Sequence, residues 1–129
     1  MVTLTDSIIE IKETLGKGRG VFASQDFFPC EVIERVPVLV IPQEQYPSLE
    51  NTIFFHYLFG WKENDFALAL GYGSLYNHSF RPNAIYRKRE EEGMLEFIAL
   101  HPILAGEEIL INYNGEPSSE DPIWFRVVQ

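Results

Sequence analysis

Apolar residues along this chain fall in short runs separated by Gly, Pro, Asn or charged positions. SIIEIKE (7–13), GVFAS (20–24), EVIERVPVLVI (31–41), FALALG (66–71), AIYRK (84–88), MLEFIAL (94–100) and EEILINY (107–113) read as strands. FALALG and MLEFIAL alternate well enough to bury one face, and their apolar density also allows burial on both. REEEGM (89–94) predicts a hairpin turn with solvated charges and Gly93 relieving the backbone, and LAGEE (104–108) a second tight connection. One stretch differs. From Ser48 to Trp61 the residues Phe54, Phe55, Tyr57, Leu58, Phe59 and Trp61 meet few breakers, which predicts a short helix with Ser48 or Asn51 as cap. Apolar residues cover most of its circumference, so it is expected to be deeply buried or to meet a second subunit or peptide. His56 within it reads as a packed or hydrogen-bonded histidine, since no Cys or second His stands at helix spacing.

The pattern is that of a mainly β domain, and 129 residues suit a single one. Such a chain buries roughly two-thirds of its potential surface, enough for a core without staples. One cysteine, Cys30, forms no internal disulfide and is too few for a structural zinc site, so no metal is expected. No signal-like N-terminus and no run near ~18 apolar residues appears, which predicts a soluble intracellular protein without membrane contact. The net charge of −9 argues against direct nucleic-acid binding. It agrees with plain solubility, and equally with an acidic field that attracts a basic protein or peptide.

Three segments carry chemistry. GSLYNHSFRPNAIY (73–86) sets Asn77, His78 and Ser79 against Pro82 and Asn83, too polar for a core strand and too specific for a generic loop. GKGRGVFA (16–23) alternates Gly16, Gly18 and Gly20, which lets backbone approach a ligand. It is no Walker loop, lacking Gly-Lys-Ser/Thr at the right spacing, and no Rossmann loop, because a strand follows. LHPILAGEEILINY (100–113) ends on Tyr113 before the polar turn NYNG. On the residues alone, Asn77 and His78 could simply knit loops together, Tyr113 could be a surface strand tyrosine, and Tyr86 a cross-strand packing residue.

In this order the three segments resemble the motifs of SET-domain lysine methyltransferases, in a compact form without cysteine-rich leading or zinc-binding trailing modules. The resemblance runs from about residue 7 to 125, with 42–66 as a variable insert. It implies a β-clip fold of short strands and small sheets, one short helix, and a knot-like C-terminal crossing shaped by Pro82 and Asn83. It implies a methyl donor, S-adenosylmethionine, contacted by Lys17, Gly18, Arg19, Asn77, His78 and Tyr113. Tyr113 would be the catalytic tyrosine and Tyr86 a wall of the lysine channel. Trp124 and Phe125 would either close over cofactor or channel or anchor the terminus.

The implied reaction is attack of a lysine amine on a sulfonium methyl, with no metal and no covalent enzyme intermediate. Because the amine must lose a proton, activity is expected to rise toward alkaline pH. Phe80, Ser74 and Asn112 depart from common family residues (Cys, Arg and Asp), and the last two bear on cofactor affinity more than on reaction type. A catalytically silent SET-like module that binds peptide or cofactor is the alternative. The FFHYLFGW run would also permit a homodimer. The expected location is the cytoplasm, or the nucleus in a eukaryote.

Overall fold

A computed structural model describes residues 7–120 of the chain. Its first element is a hairpin in which β1 (Ile9–Thr14) pairs antiparallel with β2 (Gly18–Ala23). Gly16 (φ 87°) and Gly18 (φ 71°) take the left-handed backbone that closes the turn. Thr14 locks it: its hydroxyl donates to the Gly18 carbonyl at 2.7 Å and accepts from the Lys17 N–H at 3.2 Å.

β3 (Val32–Ile41) is the longest strand and serves two neighbours in turn. Val32 to Pro37 pair with β8 (Met94–Ala99), and Val38 to Ile41 pair with β5 (Phe66–Ala69). Pro37 sits at the switch, where its missing N–H is not required, and its carbonyl accepts from Leu70 N at 3.0 Å. With β4 (Leu58–Gly60) and β7 (Ala84–Arg89) these strands form a sheet in the order β4-β5-β3-β8-β7. β8 lies between two strands, and every residue after Met94 is buried, so the two-sided burial allowed by its apolar density is realised. β5 instead alternates. Glu96, the charged exception in β8, receives the Nε groups of Arg89 at 2.7 Å and Arg35 at 3.2 Å. A buried carboxylate is tolerated here because both flanking strands supply a cation. Gly93 (φ 66°) closes the REEEGM turn between β7 and β8, as its sequence predicts.

The helix expected over Ser48–Trp61 is not what forms. One turn, α1 (Tyr46–Leu49), comes earlier; a 3-10 turn spans Ile53–Tyr57, and Leu58–Gly60 is strand. Neither Ser48 nor Asn51 caps α1. Aromatic residues have modest helix propensity, and β5 offers an open edge that Leu58, Phe59 and Gly60 satisfy by pairing with Leu68, Ala67 and Phe66. Deep burial fails as well: Ile53 is 68% exposed and Phe54 47%.

The C-terminal part returns through the molecule's centre. Ile109 N donates to Val21 O, and β9 (Leu110–Ile111) then runs parallel to β6 (Asn77–His78). Asn83 laces this crossing with its side-chain amide, which donates to Glu108 O at 2.9 Å and accepts from Leu110 N at 2.8 Å. A short amide offers a donor and an acceptor on adjacent atoms, which suits an asparagine there. Among the described residues no helix is long and apolar enough to cross a membrane.

Candidate active site

The site is built where the 70–76 loop, β6, β7 and the segment after β9 converge. Gly73 is needed in that loop, because a Cβ would stand 2.7 Å from Ala69 Cβ and 3.0 Å from Val36. A β-bulge between Val32 and Glu34 turns Glu34 toward the loop. Its carboxylate accepts from Tyr72 N at 3.0 Å and from the Tyr76 hydroxyl at 2.8 Å. Burial raises the Glu34 pKa, opposed by these two hydrogen bonds. The Tyr76 ring stacks on Phe97 at 4.2 Å, so both ends of this side chain are fixed.

Tyr76 in turn holds Tyr113, whose hydroxyl donates to the Tyr76 carbonyl at 2.6 Å. The Tyr113 backbone is fixed on two further sides. Its N–H donates to His78 Nδ1 at 3.0 Å, and its carbonyl accepts from the Tyr86 hydroxyl at 3.3 Å. Burial, with smaller contributions from Tyr57 and Glu108, pushes the Tyr113 pKa far above the usual phenol range. Burial followed by the Glu116 charge raises that of Tyr86. Both are neutral phenols at any physiological pH. His78 is buried between the edges of Phe80 and Tyr113, and burial lowers its pKa, so its ring is the neutral form that can accept from Tyr113 N.

Two cavities flank this tyrosine. The narrow one, about 80 Å³, is walled by Tyr57, Phe59, Tyr76, Tyr86, Ile111 and Tyr113. The wider one, about 300 Å³, is lined by Lys17, Gly18, Arg19, Leu75 and Asn77. His56, Tyr57, Ser74 and Tyr113 belong to both. Behind the wide cavity Glu108 organises the polar wall: one oxygen pairs with Lys17 Nζ at 2.7 Å and the other accepts from Asn77 Nδ2 at 2.7 Å. Asn77 also donates to the Arg19 carbonyl at 2.9 Å, tying β6 to β2.

Five residues singled out in the sequence therefore gather on the wide cavity: Lys17, Gly18, Arg19, Asn77 and Tyr113. Tyr86 lines the narrow one. His78 lines neither, its side chain lying beneath Tyr113. Trp124 and Phe125 lie outside the described residues. Asn112 is buried and lines neither cavity. Its Nδ2 donates to Ser119 O at 2.7 Å and its Oδ1 accepts from Asn114 N at 3.0 Å, so it shapes the following turn. Ser74, where an arginine is common, lines both cavities and donates to Ala69 O at 2.9 Å. Sequence reasoning missed Glu34, Tyr76 and Glu108 as site supports, none of which carried a local signal. His56, expected to be packed or hydrogen-bonded, packs edge-on against Phe55 at 5.5 Å and also lines both cavities.

Residues 18–114 match the family model described as the SET domain. The chain belongs to the SET-domain family. It is similar to the histone-lysine N-methyltransferase, H3 lysine-37 specific, of Schizosaccharomyces pombe, with 35% identity over 120 residues, covering 92% of this chain and 78% of that protein. A solved Plasmodium falciparum structure, provisionally titled a histone methyltransferase, superposes with a TM-score of 0.70 at 33% identity. It covers 83% of this chain and 93% of that one. This SET protein is accordingly a protein-lysine methyltransferase, and S-adenosylmethionine is the methyl donor its family implies.

Proposed function

We propose that the wide cavity holds S-adenosylmethionine, that the narrow one admits a lysine side chain of a basic protein, and that the two meet at Tyr113. The observation that carries this is the shared wall: a narrow aromatic cavity and a wide polar one have Tyr113 in common. The residues fit the donor. Gly18 leaves open space where a Cβ would stand, Arg19 presents positive charge suited to a carboxylate beside the Lys17–Glu108 pair, and Asn77 and Ser74 bring hydrogen-bonding groups. When bound, S-adenosylmethionine supplies an electrophilic methyl carried on a sulfonium.

The chain's own residues do the rest. The walls of Tyr57, Phe59, Tyr76 and Tyr86 confine an unbranched aliphatic stem and exclude water from its end. Confinement of that kind converts an encounter into near-attack geometry, where much of the acceleration can arise. Tyr113 is a neutral phenol, too weakly acidic to work as a base through its anion. It gives its proton to Tyr76 O, and a phenol oxygen so used can still receive hydrogen bonds from an ammonium or C–H contacts from a polarised methyl. Tyr86 holds the Tyr113 backbone and walls the amine from the other side.

A net charge of −9 favours a basic partner such as a histone tail, the substrate class in the name of the S. pombe relative. A cytoplasmic or, in a eukaryote, nuclear location suits such a partner. A homodimer packed through the exposed Ile53, Phe54 and Tyr57 belongs to the same proposal, and a monomeric mass by light scattering at micromolar concentration would remove it. The function is tested by methyl transfer from labelled S-adenosylmethionine to histones and other basic proteins, with the label located by mass spectrometry. Label on lysine is expected. Donor binding without transfer to any of them would overturn the enzymatic assignment in favour of a binding module.

A further inference from the structure

The walls of the wide cavity are unevenly charged. Of the described residues that line it, Lys17 and Arg19 bring cations and none brings a carboxylate. On the function proposed above, on which this inference rests, the cavity takes up S-adenosylmethionine, whose carboxylate suits a cationic wall. The same donor also carries an ammonium and a sulfonium, so as a whole it is a cation and two uncompensated cations would repel it. Its demethylated product, S-adenosylhomocysteine, has a neutral thioether in place of the sulfonium and no net charge. A wall left uncompensated would therefore favour product over donor.

The compensating charge stands one layer behind. Glu108 lies outside the cavity lining, with Lys17 Nζ 2.7 Å from one carboxylate oxygen and Asn77 Nδ2 2.7 Å from the other. Its backbone is held on three sides. The Glu108 carbonyl accepts from Asn83 Nδ2 at 2.9 Å, and the neighbouring residues bond to β2, Ala23 N to Glu107 O at 2.9 Å and Ile109 N to Val21 O at 2.8 Å. The carboxylate fills the space that Gly20 leaves open, since a Cβ there would overlap one of its oxygens. The Lys17 and Glu108 side chains are 19% and 13% exposed, so their field is screened less than that of a surface pair. That field extends to the reaction centre: after burial and Tyr57, the Glu108 charge is a further cause of the raised Tyr113 pKa.

We propose that Glu108 is a specificity-determining residue, whose carboxylate balances Lys17 so that the wide cavity prefers the sulfonium donor to its thioether product. It acts from behind the wall, as a positioning residue, through the two side chains it holds. Methyl transfer removes the sulfonium charge from the ligand. With Glu108 in place the spent ligand loses an attraction that fresh donor retains, and donor displaces it. Without Glu108 the two cations disfavour the incoming sulfonium, and the product becomes the stronger competitor.

The test is calorimetric binding of S-adenosylmethionine and S-adenosylhomocysteine to the wild type, Glu108→Gln, Glu108→Asp, Lys17→Met and the Lys17→Met/Glu108→Gln double variant, with thermal melts as a folding control. The quantity read is the Kd for donor divided by the Kd for product, which a general loosening of the wall leaves unmoved. One unit charge across a partly wet site is worth about 3–10-fold, so Glu108→Gln should raise the ratio by about that factor. Lys17→Met leaves the carboxylate uncompensated and should lower the ratio to a similar degree. The double variant restores the net charge of the pair and should restore the ratio. Glu108→Asp keeps the charge and should hold the ratio even where both affinities fall.

Equal weakening of both ligands in Glu108→Gln, or a ratio that Lys17→Met does not lower, would overturn the proposal. Should Glu108→Gln fail to fold, Lys17→Met decides alone, because Lys17 stands in the turn between β1 and β2 and its ammonium is half of the same pair. Wild-type protein that binds neither ligand would sink the cavity assignment made above, and this inference with it. Binding of both ligands with an unmoved ratio would sink this inference alone.

Discussion

Replacing Glu34 tests whether the tyrosine pair at the site is held from behind. Glu34 sits outside both cavities, yet it accepts from Tyr76, which is 2% exposed, and from the half-buried Tyr72 N–H. Glu34→Ala leaves both donors without that acceptor. A buried donor deprived of its partner costs about 1–3 kcal/mol, and a half-buried one stands at the low end, so the total loss should be about 2–4 kcal/mol. Glu34→Gln keeps one acceptor oxygen for two donors, and should lose about 1–2 kcal/mol.

The pH dependence has a definite sign. Burial raises the folded pKa of Glu34 above 4.5, so the fold favours its protonated form. That contribution is fully present below the unfolded pKa and is lost as pH rises through the folded one. The stability of the wild type relative to Glu34→Gln should therefore decline with pH above about 4.5 and level off once the folded pKa is passed. Urea unfolding followed by tryptophan fluorescence reads the free energies. Methyl transfer reads the consequence, since the Tyr76 carbonyl holds the Tyr113 hydroxyl: a fall in kcat is expected that exceeds the unfolded fraction. A Glu34→Ala protein within about 0.5 kcal/mol of wild type, the usual range of an inconsequential surface change, would refute the reasoning.

Other perturbations reach the site from different sides. In Gly20→Ala the new Cβ would stand 2.8 Å from Asn77 Nδ2 and closer still to the Glu108 carboxylate, displacing the polar wall of the wide cavity. Overpacking of this kind costs about 1–3 kcal/mol, and calorimetry should show weakened S-adenosylmethionine binding, whereas unchanged affinity would detach that wall from the donor. His78 has its pKa lowered by burial, so the unfolded chain takes the proton first as pH falls. Stability should drop as pH falls through 6.5 toward the lower folded value, and His78→Gln should lack that slope in denaturation series from pH 7.5 to 5.

The parts of this protein that were legible in sequence are those fixed by local pattern. The strands of β3, β5, β7 and β8 follow from apolar runs bounded by turn residues, and the Gly93 hairpin from its charged tip. The family motifs also marked Lys17, Gly18, Arg19, Asn77 and Tyr113, which the fold brings to one cavity, and His78, which it does not. The misreading of Ser48–Trp61 has a non-local cause: the open edge of β5 recruits Leu58–Gly60, and nothing within the aromatic run announces that partner. Supports of the site were hidden for the same reason. Glu34 meets Tyr76 across 42 positions, and Lys17 meets Glu108 across 91. Such pairs exist only once the bulge in β3 and the return of β9 have brought distant segments together. Asn112 reads as a change of cofactor contact in sequence, while in the fold its amide serves the 114–119 turn.

The central claim is that donor and lysine meet at Tyr113, and Tyr113→Phe tests it most directly. Single-turnover transfer and S-adenosylmethionine affinity should be measured on the same preparation. Removing one preorganised hydroxyl from a reaction centre should slow transfer by about 10²-fold, while affinity, resting on Lys17, Gly18, Arg19 and Asn77, stays within a few-fold. Transfer at the wild-type rate would contradict the account, and so would a loss explained wholly by weaker donor binding.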